Sequence, residues 1–438
     1  MSKDIQGVGL GLASKFAGSR FAEKYKLRKP AEKMAYVSTK TGFKLAGEML
    51  KRNAQKHSAN NRLPAPKKNN VLFDLSLSDE QQMIKDTVRA YATDVVRDLA
   101  LDADEQQQLP ADFLSNMMDI GLNFFSVPEA LGGAAQQYSP TTNAIIAEEL
   151  AWGDMSLAYA ALAPTAFANA IVKWGTAAQK NNYLPRYLED KPVKATIAVQ
   201  EAHPLFEPQT LSCRAKKTKS GYRIQGQKTL VPFGGDCDMY LVAAQFKGKP
   251  ALFIVPGHSS GISFRKSPGM GLRAATSGQL TLKNVDLPAD ALLGGEDFLQ
   301  RPDNYQEFID LGQLHWCALA IGASQAALDY VISYCNEREA FGEPISHRQA
   351  VAFMIADIGI ELESMRLLTW RACALAEAGK AFHREAFLAH TLCAEKAMKI
   401  GTDAVQLLGG HGFTKEHPAE RWYRDLRVLA CVNSGLHL

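Results

Sequence analysis

The spacing of apolar residues divides the chain into segments that predict different secondary structure. Ser78 followed by Asp79, Glu80 and Gln81 is a capping-box signature, which predicts that a helix begins at this point. Apolar residues then recur at helical intervals, so we predict an α-helical domain over residues 75–190. The other helices predicted in this domain cover residues 111–119, 141–151 and 157–174.

Short β-rich runs replace the helical pattern between residues 191 and 300, where Gly, Pro and Asp separate them. This pattern predicts a central β-domain in the form of a small antiparallel barrel or sandwich. The predicted strands cover residues 221–230, 239–245, 251–255, 261–264 and 279–282.

Long amphipathic helices return in residues 301–438, which we predict to form a C-terminal helical bundle. The predicted helices cover residues 314–338, 348–377 and 383–408. The fold class is therefore α+β and mainly helical. Because cofactors commonly bind where subdomains meet, the junction of the three domains is the expected site.

Composition narrows the class of protein further. Of the 438 residues 46% are hydrophobic, and we expect no apolar run close to the ~18 residues that a membrane span requires. The seven cysteines are scattered singly, without a Cys-x-x-Cys pair, which argues against zinc and against a disulfide framework. These features favour a cytoplasmic protein.

Charge is concentrated at the N-terminus. Residues 1–70 contain 16 Lys and Arg against 4 Asp and Glu, a net charge of +12, which leaves −9 on residues 71–438 because the whole chain carries +3. We predict that residues 1–74 form a basic helical extension and linker, which makes peripheral contact with anionic lipid at the inner membrane face. An ordered arm packed on its own domain, or a solvated tail, are the alternatives. No nucleic-acid-binding module accompanies the charge.

Two segments near the C-terminus carry the most specific motifs: N-E-R-E-A-F-G-E-P-I-S-H-R-Q at 336–349 and D-A-V-Q-L-L-G-G-H-G-F at 403–413. Three further stretches precede them at matching intervals: L-S-D-E-Q-Q-M-I at 77–84, V-P-E-A-L-G-G at 127–133 and G-Y-R-I-Q-G-Q-K at 221–228. In identity and order these segments resemble the acyl-CoA dehydrogenase family, as does A-E-E-L-A-W-G at 147–153.

The resemblance implies a function, a cofactor and partners. Family members use FAD to oxidise an acyl-CoA thioester to the trans-2-enoyl-CoA, as in fatty acid β-oxidation, and pass the electrons to an electron-transferring flavoprotein. They assemble as homodimers or homotetramers, in which an Arg and a Gly-Gly turn of one subunit reach the FAD held by its neighbour.

Residue by residue, the family's FAD contacts fall on one set of positions in this chain. By resemblance Arg338 pairs with the pyrophosphate, Gln349 is the adenosine-side contact, and Gln406, Gly409 and Gly410 form the turn that approaches the phosphates. Phe341 follows Arg338 at the family's spacing. The alternatives are an exposed helix-end cation for Arg338, a surface amide for Gln406 and a helix C-cap for the glycines.

Two segments depart from the family pattern. Where relatives have Trp-Ile-Thr beside the flavin, this chain has Leu230, Val231 and Pro232, of which we take Val231 as a cofactor contact. Phe206 stands where the resemblance places a Ser that meets the CoA moiety. Proline at 232 supplies no backbone donor.

The catalytic base is the largest departure. The family's usual Glu position is occupied by Asn433, and the alternative position on a preceding helix by Gly312. Asp310 is a nearby carboxylate that we take as a substrate contact, although helical spacing turns it about 200° from position 312. The sequence also ends before the closing helix that the resemblance leads us to expect. The alternatives are a divergent dehydrogenase with another base, a family-fold protein that binds flavin, acyl-CoA or a partner without dehydrogenating, and a scaffold without a ligand.

Overall fold

The computed structural model describes residues 76–122, 124–134, 138–203, 205–301 and 303–432. The basic extension predicted over residues 1–74 and the base position at Asn433 lie outside the described residues, so the statements about both stay predictions.

The N-terminal part is helical, as predicted, and its first helix begins at the predicted cap. Ser78 Oγ accepts a hydrogen bond from the Gln81 amide at 3.1 Å, and Gln81 Oε1 accepts one from the Ser78 amide at 3.1 Å. A π-helical turn over Ala92–Val96 joins the first two helices. The helices are α1 Asp79–Tyr91, α2 Arg97–Gln106, α3 Phe113–Asp119, α4 Pro140–Gly153, α5 Met155–Trp174 and α6 Ala177–Tyr183.

Helix α5 is the central helix of this part. Asp154 caps it by accepting a hydrogen bond from the Leu157 amide at 2.9 Å, and Arg421 Nε donates to the same carboxylate at 3.0 Å. By length and apolarity α5 is able to cross a membrane, so the expectation that no apolar run comes close to that length was wrong. It is 78% buried inside the fold over its most apolar stretch, which is the environment of a core helix.

The β-domain contains seven strands in one sheet. They are β1 Ala195–Ala198, β2 Arg214–Lys217, β3 Gly221–Val231, β4 Met239–Phe246, β5 Lys249–Pro256, β6 Ile262–Lys266 and β7 Gly278–Pro288. Their order is β1-β4-β2-β3-β7-β6, and β5 pairs with β4. The sequence missed β1 and β2, and both pair with β4 in parallel, so the prediction of a purely antiparallel domain was wrong on that point.

The C-terminal part is a helical bundle, as predicted. Its helices are α7 Gly295–Gln300, α8 Asp303–Glu337, α9 Gln349–Glu377, α10 His383–Leu408 and α11 Ala419–Leu426, and a hairpin of β8 Glu339–Ala340 and β9 Glu343–Pro344 follows α8. Helix α8 packs against α4, α5, α9 and α10, and so joins the bundle to the N-terminal helices. Gly322 permits the contact with α4, since a Cβ there would lie 2.0 Å from the Glu148 carbonyl oxygen.

Candidate active site

A cavity of about 170 Å³ lies where the three parts of the fold meet. Small side chains of α5, including Ala163, Ala166 and Ala170, form one wall, because alanines leave space between the helix and its neighbours. The opposite wall is a face of α8 that includes Gly312 and His315. The lining is mainly apolar, as is usual for sites that bind an organic group and exclude water.

The ends of β1 and β3 close the third side of the cavity. Gln200 follows β1 and Thr229 lies near the end of β3, and the Thr229 amide donates to the Gln200 carbonyl at 2.9 Å. The neighbouring Leu230 has a φ of 54°, a left-handed conformation that a leucine rarely adopts. The register between β3 and β7 shifts at the same place, so β3 carries a bulge at the cavity.

An aromatic contact fixes this bulge. The Tyr159 hydroxyl, from α5, donates to the Leu230 carbonyl oxygen at 3.0 Å. The Tyr159 ring lies 4.6 Å from the ring of Trp316, from α8. All three residues line the cavity, and each comes from a different part of the fold. The cavity is therefore held in shape by contacts that join all three parts.

A buried ion pair supports the same edge of the sheet from behind. Lys228 Nζ lies 2.8 Å from Glu201 Oε1 and donates to the Val199 carbonyl at 2.9 Å, and its side chain is fully buried. Glu201 also accepts from the Ser212 and Cys213 amides. Burial acts to raise the pKa of Glu201, but Lys228 and these amides outweigh it and hold that pKa below its ordinary value. The pair ties the residues after β1 to the end of β3.

The nearby carboxylates are all engaged elsewhere. Asp310 lies outside the cavity lining, with its Oδ1 2.9 Å from His383 Nδ1 and 2.8 Å from Gln306 Nε2. Glu307 pairs with Lys173 at 3.0 Å. Glu377 lines an adjacent cavity beyond Tyr138 and accepts from Ser139 Oγ at 2.8 Å. Among the residues that the structure describes, no Asp or Glu lines the central cavity.

Four ionisable side chains do line it, and each has a shifted pKa. Burial raises the pKa of Tyr138 and of Tyr159. Burial likewise raises the pKa of the Cys373 thiol to about 12. It lowers the pKa of His315 to about 4, because the imidazolium form is poorly solvated there. At neutral pH all four groups are therefore uncharged.

The residues expected to contact the dinucleotide gather at one end of the bundle, outside the cavity lining. Arg338 and Phe341 follow the end of α8, Gln349 begins α9, and Gln406 with Gly409 ends α10. Tyr334, one turn before Arg338, connects these segments, because its hydroxyl lies 2.8 Å from His411 Nδ1 and 3.5 Å from the Leu408 carbonyl.

This end of the bundle has room for a diphosphate. A Cβ added at Gly409 or Gly410 would meet nothing within 4 Å, and Gly409 has a φ of 58°. Within the described part of the chain the exposed Arg338 guanidinium has no hydrogen-bond or ion-pair partner. Phe341, shortly after α8, is 97% exposed, and Phe413, shortly after α10, is 89% exposed, which is unusual for aromatic rings unless another surface covers them. The residues present therefore fit an FAD diphosphate at this end of the bundle.

Two other predicted contacts lie away from the cavity. Val231 is fully buried in the hydrophobic core, and its neighbours Thr229 and Leu230 border the cavity instead. Phe206 is buried against His203, with ring centroids 5.6 Å apart, and does not line the cavity.

Sequence reasoning missed the ion pair that supports the cavity edge and the imidazole in the cavity lining. Lys228 and Glu201 lie 27 residues apart, and no local sequence pattern predicts that they form an ion pair. His315 did leave a signal, since it is an ionisable residue one turn after Gly312 on a largely apolar helix.

Comparison with known proteins identifies the class of protein that this fold and site define. The chain matches "Acyl-CoA dehydrogenase, N-terminal domain" over residues 78–191, the middle domain over residues 197–285 and the C-terminal domain over residues 303–433. These are domains of FAD-dependent oxidoreductases. The chain belongs to the acyl-CoA dehydrogenase family, and FAD is its cofactor.

Individual relatives cover most of the chain. The mitochondrial short-chain specific acyl-CoA dehydrogenase of Bos taurus is 31% identical over 368 residues, which are 82% of this chain and 87% of the relative. The cyclohex-1-ene-1-carbonyl-CoA dehydrogenase of Geobacter metallireducens is 31% identical over 80% of this chain and 93% of its own length. The butyryl-CoA dehydrogenase structure from Megasphaera elsdenii has a TM-score of 0.74 at 26% identity and covers 83% of this chain and 96% of that one.

Proposed function

We propose that this protein dehydrogenates a short acyl-CoA thioester between Cα and Cβ, as a homodimer that passes electrons to an electron-transferring flavoprotein. The observation that carries the proposal is the apolar cavity between α5 and α8, which ends at the bulged edge of β3. A thioester held there is shielded from water, so that polar contacts to its carbonyl are strengthened and the reacting atoms are kept in one orientation.

FAD, when bound, supplies the two-electron acceptor that takes the hydrogen from Cβ. The chain's own residues hold it from two sides. Gln200, Thr229 and Leu230 line one edge of the cavity, which would face the flavin end within one subunit. Arg338 and the Gly409–Gly410 turn of the partner hold the diphosphate, because a planar guanidinium matches two phosphate oxygens. These residues lie outside their own subunit's cavity, which favours a role across a dimer.

A stripe of apolar residues on α9 supports the dimer. Phe353, Ile360 and Leu367 are spaced seven residues apart and therefore share one face of the helix. They are 60%, 64% and 44% exposed. A row of large exposed side chains on a single helix face is typical of a surface that another chain covers.

The size of the cavity limits the acyl group. Trp174 and Phe308 both line it, and their rings meet 5.7 Å apart in an edge-to-face contact. A cavity of about 170 Å³ compares with the ~150 Å³ that holds benzene in a protein core. We therefore expect acyl groups of about four to eight carbons, linear or cyclic. The relatives named for butyryl-CoA and for cyclohex-1-ene-1-carbonyl-CoA act on groups of this size.

An anaerobic titration tests the proposal. FAD-loaded protein is mixed with acyl-CoAs of increasing length and with cyclohexanecarbonyl-CoA, and the visible flavin spectrum is recorded. Bleaching with short or cyclic acyl groups, followed by reoxidation with electron-transferring flavoprotein, is the expected result. A flavin that stays oxidised with every substrate would contradict the proposal.

A second function is favoured by one observation. The described cavity lining contains no carboxylate, whereas the resemblance implies a Glu base. A protein that binds FAD and acyl-CoA without dehydrogenating would show that arrangement. In the same titration it would give a shift of the flavin spectrum on binding, without bleaching.

A further inference from the structure

The central cavity contains one group that is able to accept a proton at neutral pH. Tyr138, Tyr159 and Cys373 line it as protonated acids, since burial raises the pKa of each. Tyr159 also donates its hydroxyl hydrogen to the Leu230 carbonyl. The other polar side chains in the described lining are amides and hydroxyls, which are far weaker bases than the neutral imidazole of His315.

The position of His315 on α8 suits a role at the reacting carbons. It lies three residues after Gly312, and both line the cavity, so its side chain projects from the same wall one turn further along. Among the described residues neither ring nitrogen has a hydrogen-bond or ion-pair partner. His315 is half-buried in the cavity lining, so its imidazole is accessible to a ligand bound in the cavity.

We propose that His315 is the catalytic base that removes the Cα proton of the bound acyl-CoA. The inference rests on the proposed dehydrogenation. The Cα–H bond breaks, its proton goes to an imidazole nitrogen and its electron pair becomes the new Cα–Cβ π bond. The hydrogen on Cβ leaves with both bonding electrons to FAD, which is reduced by two electrons. Atoms and charge balance with the enoyl-CoA, reduced cofactor and a histidinium as products.

The electrostatics of the cavity fit this step. Burial lowers the pKa of His315 to about 4, so the imidazole is in its proton-accepting form at neutral pH. Negative charge develops on the thioester as the proton leaves. That negative charge stabilises a neighbouring imidazolium. The proton affinity of His315 therefore rises as the Cα proton is transferred.

The experiment uses an acyl-CoA in which sulfur replaces the β-carbon, so that hydride transfer is blocked while the Cα proton stays acidic. FAD-loaded protein is incubated with this analogue in D₂O, and deuterium at Cα is measured by mass spectrometry. Three proteins are compared: the unchanged chain, His315→Gln, and His258→Gln as the matched control at an exposed turn between β5 and β6. The dissociation constant for the analogue and the FAD content are measured in each.

We expect His315→Gln to slow the exchange by about 100-fold or more while the analogue still binds, since general bases contribute on the order of 10²–10⁴. His258→Gln is expected to exchange like the unchanged chain. A third variant controls for misfolding. His315→Gln combined with Gly312→Glu puts a carboxylate on the same wall and is expected to restore exchange.

The outcomes separate this inference from the proposed function. If the unchanged protein oxidises acyl-CoA and His315→Gln exchanges at the same rate, His315 is not the base but dehydrogenation stands. If the unchanged protein neither bleaches nor exchanges, both proposals fall. If His258→Gln slows the exchange as much as His315→Gln does, the loss is not specific to the cavity imidazole and the inference is also overturned.

Discussion

Replacing Lys228 with methionine tests whether the buried ion pair holds the β3 edge of the cavity. Lys228→Met keeps the length and apolar stem of the side chain but removes the ammonium that lies 2.8 Å from Glu201 Oε1. Glu201 is 3% exposed and would keep only the Ser212 and Cys213 amides as donors, at 2.7 and 3.0 Å. Removing one partner of a buried pair destabilises a protein by about 3–5 kcal/mol. The two remaining amides favour the lower end, about 3 kcal/mol.

The assay is urea unfolding of the FAD-loaded protein, with Arg223→Met as the matched control. Arg223 lies on the same strand and pairs with Asp286, but the two side chains are 51% and 63% exposed. Solvent screens exposed pairs, so the control is expected to change the free energy of unfolding only slightly. In the double variant Lys228→Met with Glu201→Leu no buried charge is left unpaired, and we expect most of the lost stability to return.

The pH dependence of the stability loss in Lys228→Met is a second, independent test. In Lys228→Met, burial without the counter-charge raises the folded-state pKa of Glu201 above its unfolded value, so the folded state binds the proton more tightly. The stability deficit is then expected to shrink as pH falls towards the unfolded pKa of about 4.3 and to grow as pH rises. A deficit below about 1 kcal/mol, or one that is independent of pH, would refute the reasoning.

Three further changes test other parts of the site. Arg338→Ala is expected to raise the FAD dissociation constant by about 10- to 100-fold, since charge-assisted hydrogen bonds contribute about 1.5–3 kcal/mol. Equilibrium dialysis measures this constant, and an unchanged value would contradict the phosphate role of Arg338. Trp174→Ala opens the end of the cavity beside Phe308, so the preferred acyl-CoA in steady-state assays is expected to lengthen; an unchanged preference would place the chain end elsewhere. A chain starting at Asn70 is expected to lose co-sedimentation with anionic vesicles that the full chain retains, and equal binding by both would exclude a lipid role for the basic extension.

Much of the fold was readable from the sequence because local patterns encode it. The capping box at Ser78 and the ends of α10 at His383 and Leu408 were predicted to the residue. The start of α8 was predicted at 314 but lies at Asp303, since its first turns lack a regular apolar stripe. Strand β2 reads Arg-Ala-Lys-Lys, which has no strand signature, and its pairing with β3 and β4 is decided by distant residues.

The candidate site likewise contains residues that local motifs select and residues that only the tertiary structure brings together. Arg338 and Gly409 each lie in a contiguous motif, so the sequence alone selects them as candidate FAD contacts, and that role stays a prediction. Helical spacing also predicted that Asp310 points away from position 312. In the structure Asp310 contacts His383 outside the cavity lining. The Lys228–Glu201 pair depends on how β1 and β3 meet, which no local pattern specifies.

A single-turnover product assay tests the central claim most directly. FAD-loaded protein is mixed anaerobically with a slight excess of butyryl-CoA, without any electron acceptor, and the CoA esters are quantified by mass spectrometry. The account predicts one enoyl-CoA, two hydrogens lighter than its substrate, for each FAD reduced. Recovery of the saturated thioester alone, from protein with a full complement of bound FAD, would contradict it.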